Sequence, residues 1–176
     1  MKDEKLNVTW EVLKDSNERR TNRKKSRKLL FQILYAKTFN NYDEALFKES
    51  FFDDVFTFLQ DEKYINEMSK VVLFNESFFI HIIKTYTPKF NINKMSLSYT
   101  IPMYIGLAEM FFLTEEIPGK VSINEAVEIA KVYWDDSSKR IVNWLLNKVF
   151  QNYDELSKWK DEKYDEIDQS LFKKWE

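Results

Sequence analysis

A chain of 176 residues with 27 Lys and Arg against 29 Asp and Glu suits one nearly neutral domain, not a protein that is basic throughout. No cysteine, one histidine, two glycines and three prolines exclude a disulfide framework, a thiolate metal site, a cysteine nucleophile and a glycine-rich phosphate loop. With 44% hydrophobic and 16% aromatic residues there is material for a core, but too few turn residues for a sandwich or barrel, so an all-α fold is expected.

Residues 1–18 mix charges around Leu6, Val8, Trp10 and Leu13 and read as a flexible extension. They contain no apolar signal-peptide core, and no run in the chain approaches a membrane span. A cytoplasmic protein is therefore expected. Residues 19–28, RRTNRKKSRK, hold seven positive charges and no acid, which leaves 20 basic against 29 acidic residues, a net −9, elsewhere. Leu30, Ile33 and Leu34 then follow i, i+3, i+4, flanked by Phe31 and Tyr35, which predicts a helix. Continued backwards, that helix carries Arg20, Arg23 and Arg27 at i, i+3, i+7 and Lys24 and Lys28 at i, i+4. One helix would thus take an apolar C-terminal half into the core and a basic N-terminal half out of it.

Asn40-Asn41 marks a stop, and Leu46, Phe51, Phe52, Val55, Phe56 and Leu59 begin a further helical stretch. Tyr64, Met68, Val71, Val72, Phe78, Phe79, Ile82 and Ile83 indicate two more helices. After a connection over Pro88–Asn93, residues 97–113 form a strongly apolar helix, with Ser98 expected as N-cap and Pro102 in or near the first turn. Glu115–Lys120 reads as a loop from its Pro-Gly pair. Ser122-Ile-Asn-Glu125 is a capping-box signature, followed by Ile123, Ala126, Val127 and Ala130 on one helical face. Asp135–Ser138 is another N-cap cluster, and Val142, Leu145, Leu146 and Val149 sit at i, i+3, i+4, i+7. Residues 151–176 keep helical spacing through Leu156, Trp159, Ile167 and Leu171 and are expected to form an extra C-terminal helix, exposed or partly docked.

Residues 108–149 resemble the core signature of the NusB family of bacterial transcription antitermination factors. The matching positions are Ile117, Pro118, Lys120, Val121, Ile123, Asn124, Glu125, Ala126, Glu128, Ala130, Lys131, Ser138, Val142, Asn143 and Leu146. RKKSRKLLFQILYA, residues 23–36, is similar to the family's opening helix, with Gln32, Leu34 and Tyr35 matching its end. Trp134 and Trp144 stand where the family has glycines. The resemblance implies an all-α domain of two small packed helical bundles over residues 19–150, with 1–18 and 151–176 as extensions. It also implies binding of single-stranded boxA-like RNA together with NusE, a small-subunit ribosomal protein. The assembly would support ribosomal RNA transcription by the RNA polymerase elongation complex.

Seven like charges in ten residues repel one another, and a polyanion relieves that repulsion by releasing its own counterions. Arg23, Lys24, Lys25, Arg27 and Lys28 are therefore candidate phosphate contacts, with Tyr35 and Tyr133 as candidate base stackers. The resemblance adds Lys120, Lys139 and Arg140 as RNA-binding candidates. Glu109, a lone carboxylate in an apolar helix, is a candidate partner contact. Asn124 and Asn143 read as buried or half-buried amides tying helix ends together.

His81 has no neighbouring acid pattern, and the adjacent pairs Glu115-Glu116 and Asp135-Asp136 do not face one another on a helix. No enzyme activity, metal, cofactor, small-molecule substrate or membrane partner is expected. The competing class is a helical protein-interaction scaffold that has lost RNA binding. An RNA cytosine methyltransferase with a similar leading domain would need a glycine-rich cofactor domain and a cysteine, which this sequence does not contain. Replacing Arg23 and Arg27 together by Ala is expected to weaken RNA binding and flatten its salt dependence without lowering stability.

Overall fold

The computed structural model describes residues 21–39, 43, 47, 60–89, 91, 94–133, 136–164 and 170–172, without the side chains of 133, 136 and 137. The extension over 1–18 and the apolar positions 46, 51, 52, 55, 56 and 59 lie outside the described residues. Those that are described form seven α-helices and a 3₁₀ turn, with no strand among them.

Helix α1 spans Arg23–Ala36. Asn22 starts it, its side chain accepting the Lys25 amide at 2.9 Å, so the helix begins at Arg23 rather than running back to Arg20. Helix α2 (Glu62–Phe74) opens in the same way on Asp61, which accepts the Tyr64 amide at 3.1 Å. The Asp61 amide in turn donates to Ser26 Oγ at 2.9 Å, which ties the two helix starts together. Asn75 separates α2 from α3 (Glu76–Tyr86), its side-chain amide donating to the Val71 carbonyl at 2.8 Å.

Helix α4 (Leu97–Phe112) is buried at every position from Thr100 to Phe111. A helix that is apolar all round belongs in the middle of a fold. It is packed by α1 and α2 in one group and by α5 (Gly119–Tyr133) and α6 (Asp136–Gln151) in the other, while α3 touches α2, α4 and α6. Two helix groups therefore share α4. Gly106 allows a close approach: a Cβ there would stand 2.6 Å from Leu146 Cδ1 and 3.3 Å from Ala126 Cβ. The face of α6 read from its spacing, Val142, Leu145, Leu146 and Val149, is fully buried against this column.

Two expected caps move. The cap of α4 is Ser96, whose hydroxyl accepts the Ser98 amide and whose carbonyl accepts the Thr100 amide at 3.3 Å. Pro102 consequently sits in the second turn and forgoes one helical hydrogen bond. Helix α5 starts from Pro118, whose carbonyl accepts the Val121 and Ser122 amides at 2.8 and 3.2 Å. The expected capping box does not form. Ser122 is already inside α5, on the buried face with Ile123, Ala126 and Ile129, and its hydroxyl has no partner among the described residues. The helix instead begins one turn earlier, which carries Ser122 inward and leaves Lys120 and Val121 exposed.

The C-terminal extension is helical, among the described residues, only over α7 (Tyr153–Leu156) and the 3₁₀ turn Ser157–Trp159. Beyond it, the described residues 160–164 and 170–172 are non-helical and, with α7 and the 3₁₀ turn, form a strap against α3 and α4. Tyr153 stacks on Phe111 with ring centroids 5.4 Å apart, and Trp159 and Tyr164 pack on His81 at 5.5 and 4.4 Å. Leu156 and Leu171 are buried. The buried Glu76 carboxylate accepts the Leu171 amide at 2.6 Å, the Ser170 hydroxyl and, at 3.3 Å, the Tyr104 hydroxyl. Burial pushes the Glu76 carboxyl above its ordinary range, and these hydrogen bonds pull it part of the way back. Tyr153, Trp159, Tyr164 and Phe172 share no single helical face, so a straight helix cannot bury them together.

Candidate nucleic-acid interface

The first turn of α1 opposes its own dipole. Arg23, Lys24, Lys25, Arg27 and Lys28 crowd the positive end of a helix with no acid in its first turn. Lys24 and Lys25 are exposed and Lys28 is half-buried on the same end. Neither Lys24 nor Lys28 has a carboxylate partner among the described residues.

The arginines turn the other way. Arg23 Nε donates to Asp61 Oδ2 at 2.8 Å, and its guanidinium lies 4.4 Å from the centroid of the Tyr64 ring. Arg27 is buried, with 6% of its side chain exposed. Its Nε donates to Glu109 Oε1 at 2.6 Å, its Nη1 lies 3.5 Å from Glu125 Oε2, and Tyr64 donates to Glu109 Oε1 at 2.5 Å. Burial pulls the Arg27 guanidinium down, but the charge of Glu109 and the hydrogen bond to it outweigh burial and leave it above its ordinary value. Burial also raises the Tyr64 hydroxyl, and the Glu109 charge adds to that rise.

Two expectations are thereby corrected. Arg27 is spent on a buried ion pair and faces no phosphate. Glu109, fully buried, is its counter-charge and presents nothing to a partner's surface. Both corrections have one cause. Arg27 stands at i−3 from Leu30 and i−7 from Leu34, on the core face of α1, where a cation persists only beside a carboxylate. That spacing, together with a lone Glu in an apolar helix, was the available signal. Asp61, Tyr64 and Glu125, the other members of the network, went unrecognised.

The remaining candidates are spread out. Lys120 is exposed on the first turn of α5 rather than in a loop. Lys139 is half-buried and Arg140 exposed on α6, in the other helix group. Tyr35 is half-buried between Phe31 and Phe39, with centroids 6.0 and 5.1 Å away. The Tyr133 side chain lies outside the described residues. Asn124 and Asn143, expected to be buried or half-buried, are exposed, and Asn143 Oδ1 accepts from the Asn147 side chain at 3.0 Å. Trp144 is exposed and, with Ile141, lines a shallow apolar groove beside Pro88 and Met95. Among the described residues no group of three acidic or histidine side chains converges to hold a metal, and no helix is long and apolar enough to cross a membrane.

The NusB family pattern matches residues 24–151, from the basic end of α1 to the last residue of α6. The chain belongs to the NusB family. It is 31% identical over 140 residues to the transcription antitermination protein NusB of Clostridium perfringens, covering 74% of this chain and 98% of that one. The protein of the same name from Chloroherpeton thalassium is 32% identical over 130 residues, covering 73% of this chain and 61% of that one. That of Finegoldia magna is 30% identical over 139 residues, covering 77% and 98%. A chain from a crystal structure described as a plectonemic RNA supercoil shares the fold, with a TM-score of 0.64 at 22% identity, over 74% of this chain and 95% of that one. As a NusB protein the chain is a non-catalytic factor, not an enzyme. The strap residues 153–164 and 170–172 lie beyond the matched region.

Proposed function

We propose that this NusB-family protein is a cytoplasmic transcription antitermination factor that binds single-stranded boxA-like RNA. It does so with a NusE-like small-subunit ribosomal protein, chiefly in support of ribosomal RNA transcription by the RNA polymerase elongation complex. The observation that carries the reading is the acid-free, lysine-bearing first turn of α1. Cations at the positive end of a helix dipole repel it and each other, and an anionic backbone relieves both costs. Lys24, Lys25 and Lys28 are the phosphate contacts in this reading. Arg23 is shared with Asp61, and Arg27 supports from below by fixing α1 on α4 and α5. RNA and partner on adjoining surfaces stabilise one another reciprocally.

The test is a titration of a short boxA-like RNA at several salt concentrations, with and without the NusE homologue. Binding should weaken with salt, and replacing Lys24 and Lys28 by Ala should reduce the log–log slope by roughly 0.7 per lost contact. Absence of binding under every condition would refute it. An interaction scaffold without RNA binding remains the second reading, favoured by exposed Trp144 and Ile141 on α6. It requires partner binding that is insensitive to salt.

A further inference from the structure

The lysines of α1 share their strip of surface with a row of aromatic rings. Each helical residue turns by about 100°, so Lys24, Lys28 and Tyr35 fall within about 40° of one another around the axis of α1, and Phe39, just past its end, lies against Tyr35. Past Ala36 the turn is held by the Thr38 amide on the Tyr35 carbonyl and the Phe39 amide on the Ala36 carbonyl, both 3.1 Å. The Thr38 hydroxyl also donates to the Tyr35 carbonyl, at 2.7 Å. Phe31 and Tyr35 stack at 6.0 Å with planes 26° apart, and Phe39 lies against Tyr35 at 5.1 Å and 59°. The row passes from the core to solvent: Phe31 is buried, Tyr35 half-buried, and Phe39 51% exposed.

We propose that Phe39 is the base-stacking residue of the single-stranded RNA site, in the role that sequence alone suggests for Tyr35. This inference rests on the RNA-binding reading above. Tyr35 has Phe31 on one side and Phe39 on the other, so it backs the row instead of receiving a base. Phe39 is the ring of the row with most of its surface to solvent. From Lys24 to Tyr35 the strip is about 16 Å long; it begins with two lysines that have no carboxylate partner among the described residues, and carries no acid on α1. Cations followed by an exposed ring suit phosphates joined to an unstacked base. A duplex, whose bases are already stacked, offers no face to the ring. An acid-free strip matches a polyanion better than it matches a mixed-charge protein surface.

The test compares Phe39→Ala, Phe39→Leu and Phe39→Trp with the intact protein. The probe is a short boxA-like single strand carrying 2-aminopurine, with the same sequence as a duplex for control. The expected result is a loss of single-strand affinity of about 5- to 150-fold for Phe39→Ala and Phe39→Leu, the range for one stacked base. Phe39→Trp should retain affinity, the salt slope should stay unchanged, and the 2-aminopurine quenching seen with the intact protein should disappear in the first two variants. Melting temperatures should match, because Phe39 is exposed.

Affinity within twofold of the intact protein for Phe39→Ala, while Lys24→Ala with Lys28→Ala loses binding, would overturn the stacking role and leave the RNA reading standing. Retained affinity in Phe39→Leu would also overturn it, since bulk rather than a ring would then suffice. So would loss of NusE-homologue binding in Phe39→Ala with RNA binding intact. An intact protein that binds no RNA would overturn both.

Discussion

Arg27→Ala removes the cation from a pair in which neither side chain reaches solvent: 6% of Arg27 and 1% of Glu109 is exposed. The Glu109 carboxylate would then remain buried with the Tyr64 hydroxyl as its remaining donor among the described residues. Breaking a buried pair from one side costs about 3–5 kcal/mol. In a chain of 176 residues each kcal/mol moves the melting temperature by roughly 2–4 °C, so a fall of roughly 6–20 °C is expected. Arg23→Ala removes a partly exposed pair and should cost less than about 1 kcal/mol. Replacing both partners, as Arg27→Met with Glu109→Leu, should recover most of the loss, because no buried charge is left unpaired. Thermal melts by circular dichroism and urea titrations of the four proteins measure all of this. An unchanged melting temperature for Arg27→Ala would refute the reasoning and return Arg27 to the surface as a phosphate contact. The expectation that Arg23 and Arg27 can be replaced together without loss of stability is thereby reversed.

Other outcomes follow from the same packing. Because burial holds the Glu76 carboxyl above its ordinary range, the folded chain keeps that proton to higher pH than the unfolded chain does. The stability it contributes is complete below the ordinary carboxylate range and is lost as pH rises through the raised value. Melting temperatures of the intact protein relative to Glu76→Gln should therefore climb as pH falls from neutral, and parallel pH profiles would contradict this. Truncation after Asn152 uncovers α3 and α4 and removes buried Leu156 and Leu171. The two buried leucines alone contribute about 3–6 kcal/mol, to be read by denaturant unfolding, and equal stability of the truncated chain would show that the strap is not docked. Gly106→Ala drives a Cβ against Leu146 and Ala126 and should cost about 1–3 kcal/mol, whereas a neutral substitution would mean that α4 does not approach α6 so closely.

Local rules found what local physics decides. The core faces of α1 and α6 follow from apolar spacing, and the α2–α3 pair was legible in its two runs of apolar residues. Caps were less legible, because the start of a helix is set by its neighbours as well as by its own sequence: Ser122 satisfies a capping box on paper, yet α5 begins one turn earlier, from Pro118, and buries that serine. The C-terminal strap defeated periodicity for a related reason. Its aromatic residues are spaced to reach separate points on α3 and α4, not to line one helix face.

By itself the sequence determined that the chain is helical, that it resembles the NusB family, and that positive charge gathers at the start of its first core helix. Tertiary structure decided how that charge is divided. Lys24 and Lys25 face solvent, while Arg27, two to three positions away, turns into the core to meet Glu109, 82 residues later in the chain. Composition counts both kinds of cation alike. Only burial separates them, because a buried charge must find its counter-charge inside the protein, whereas an exposed one can take its counter-charge from a ligand.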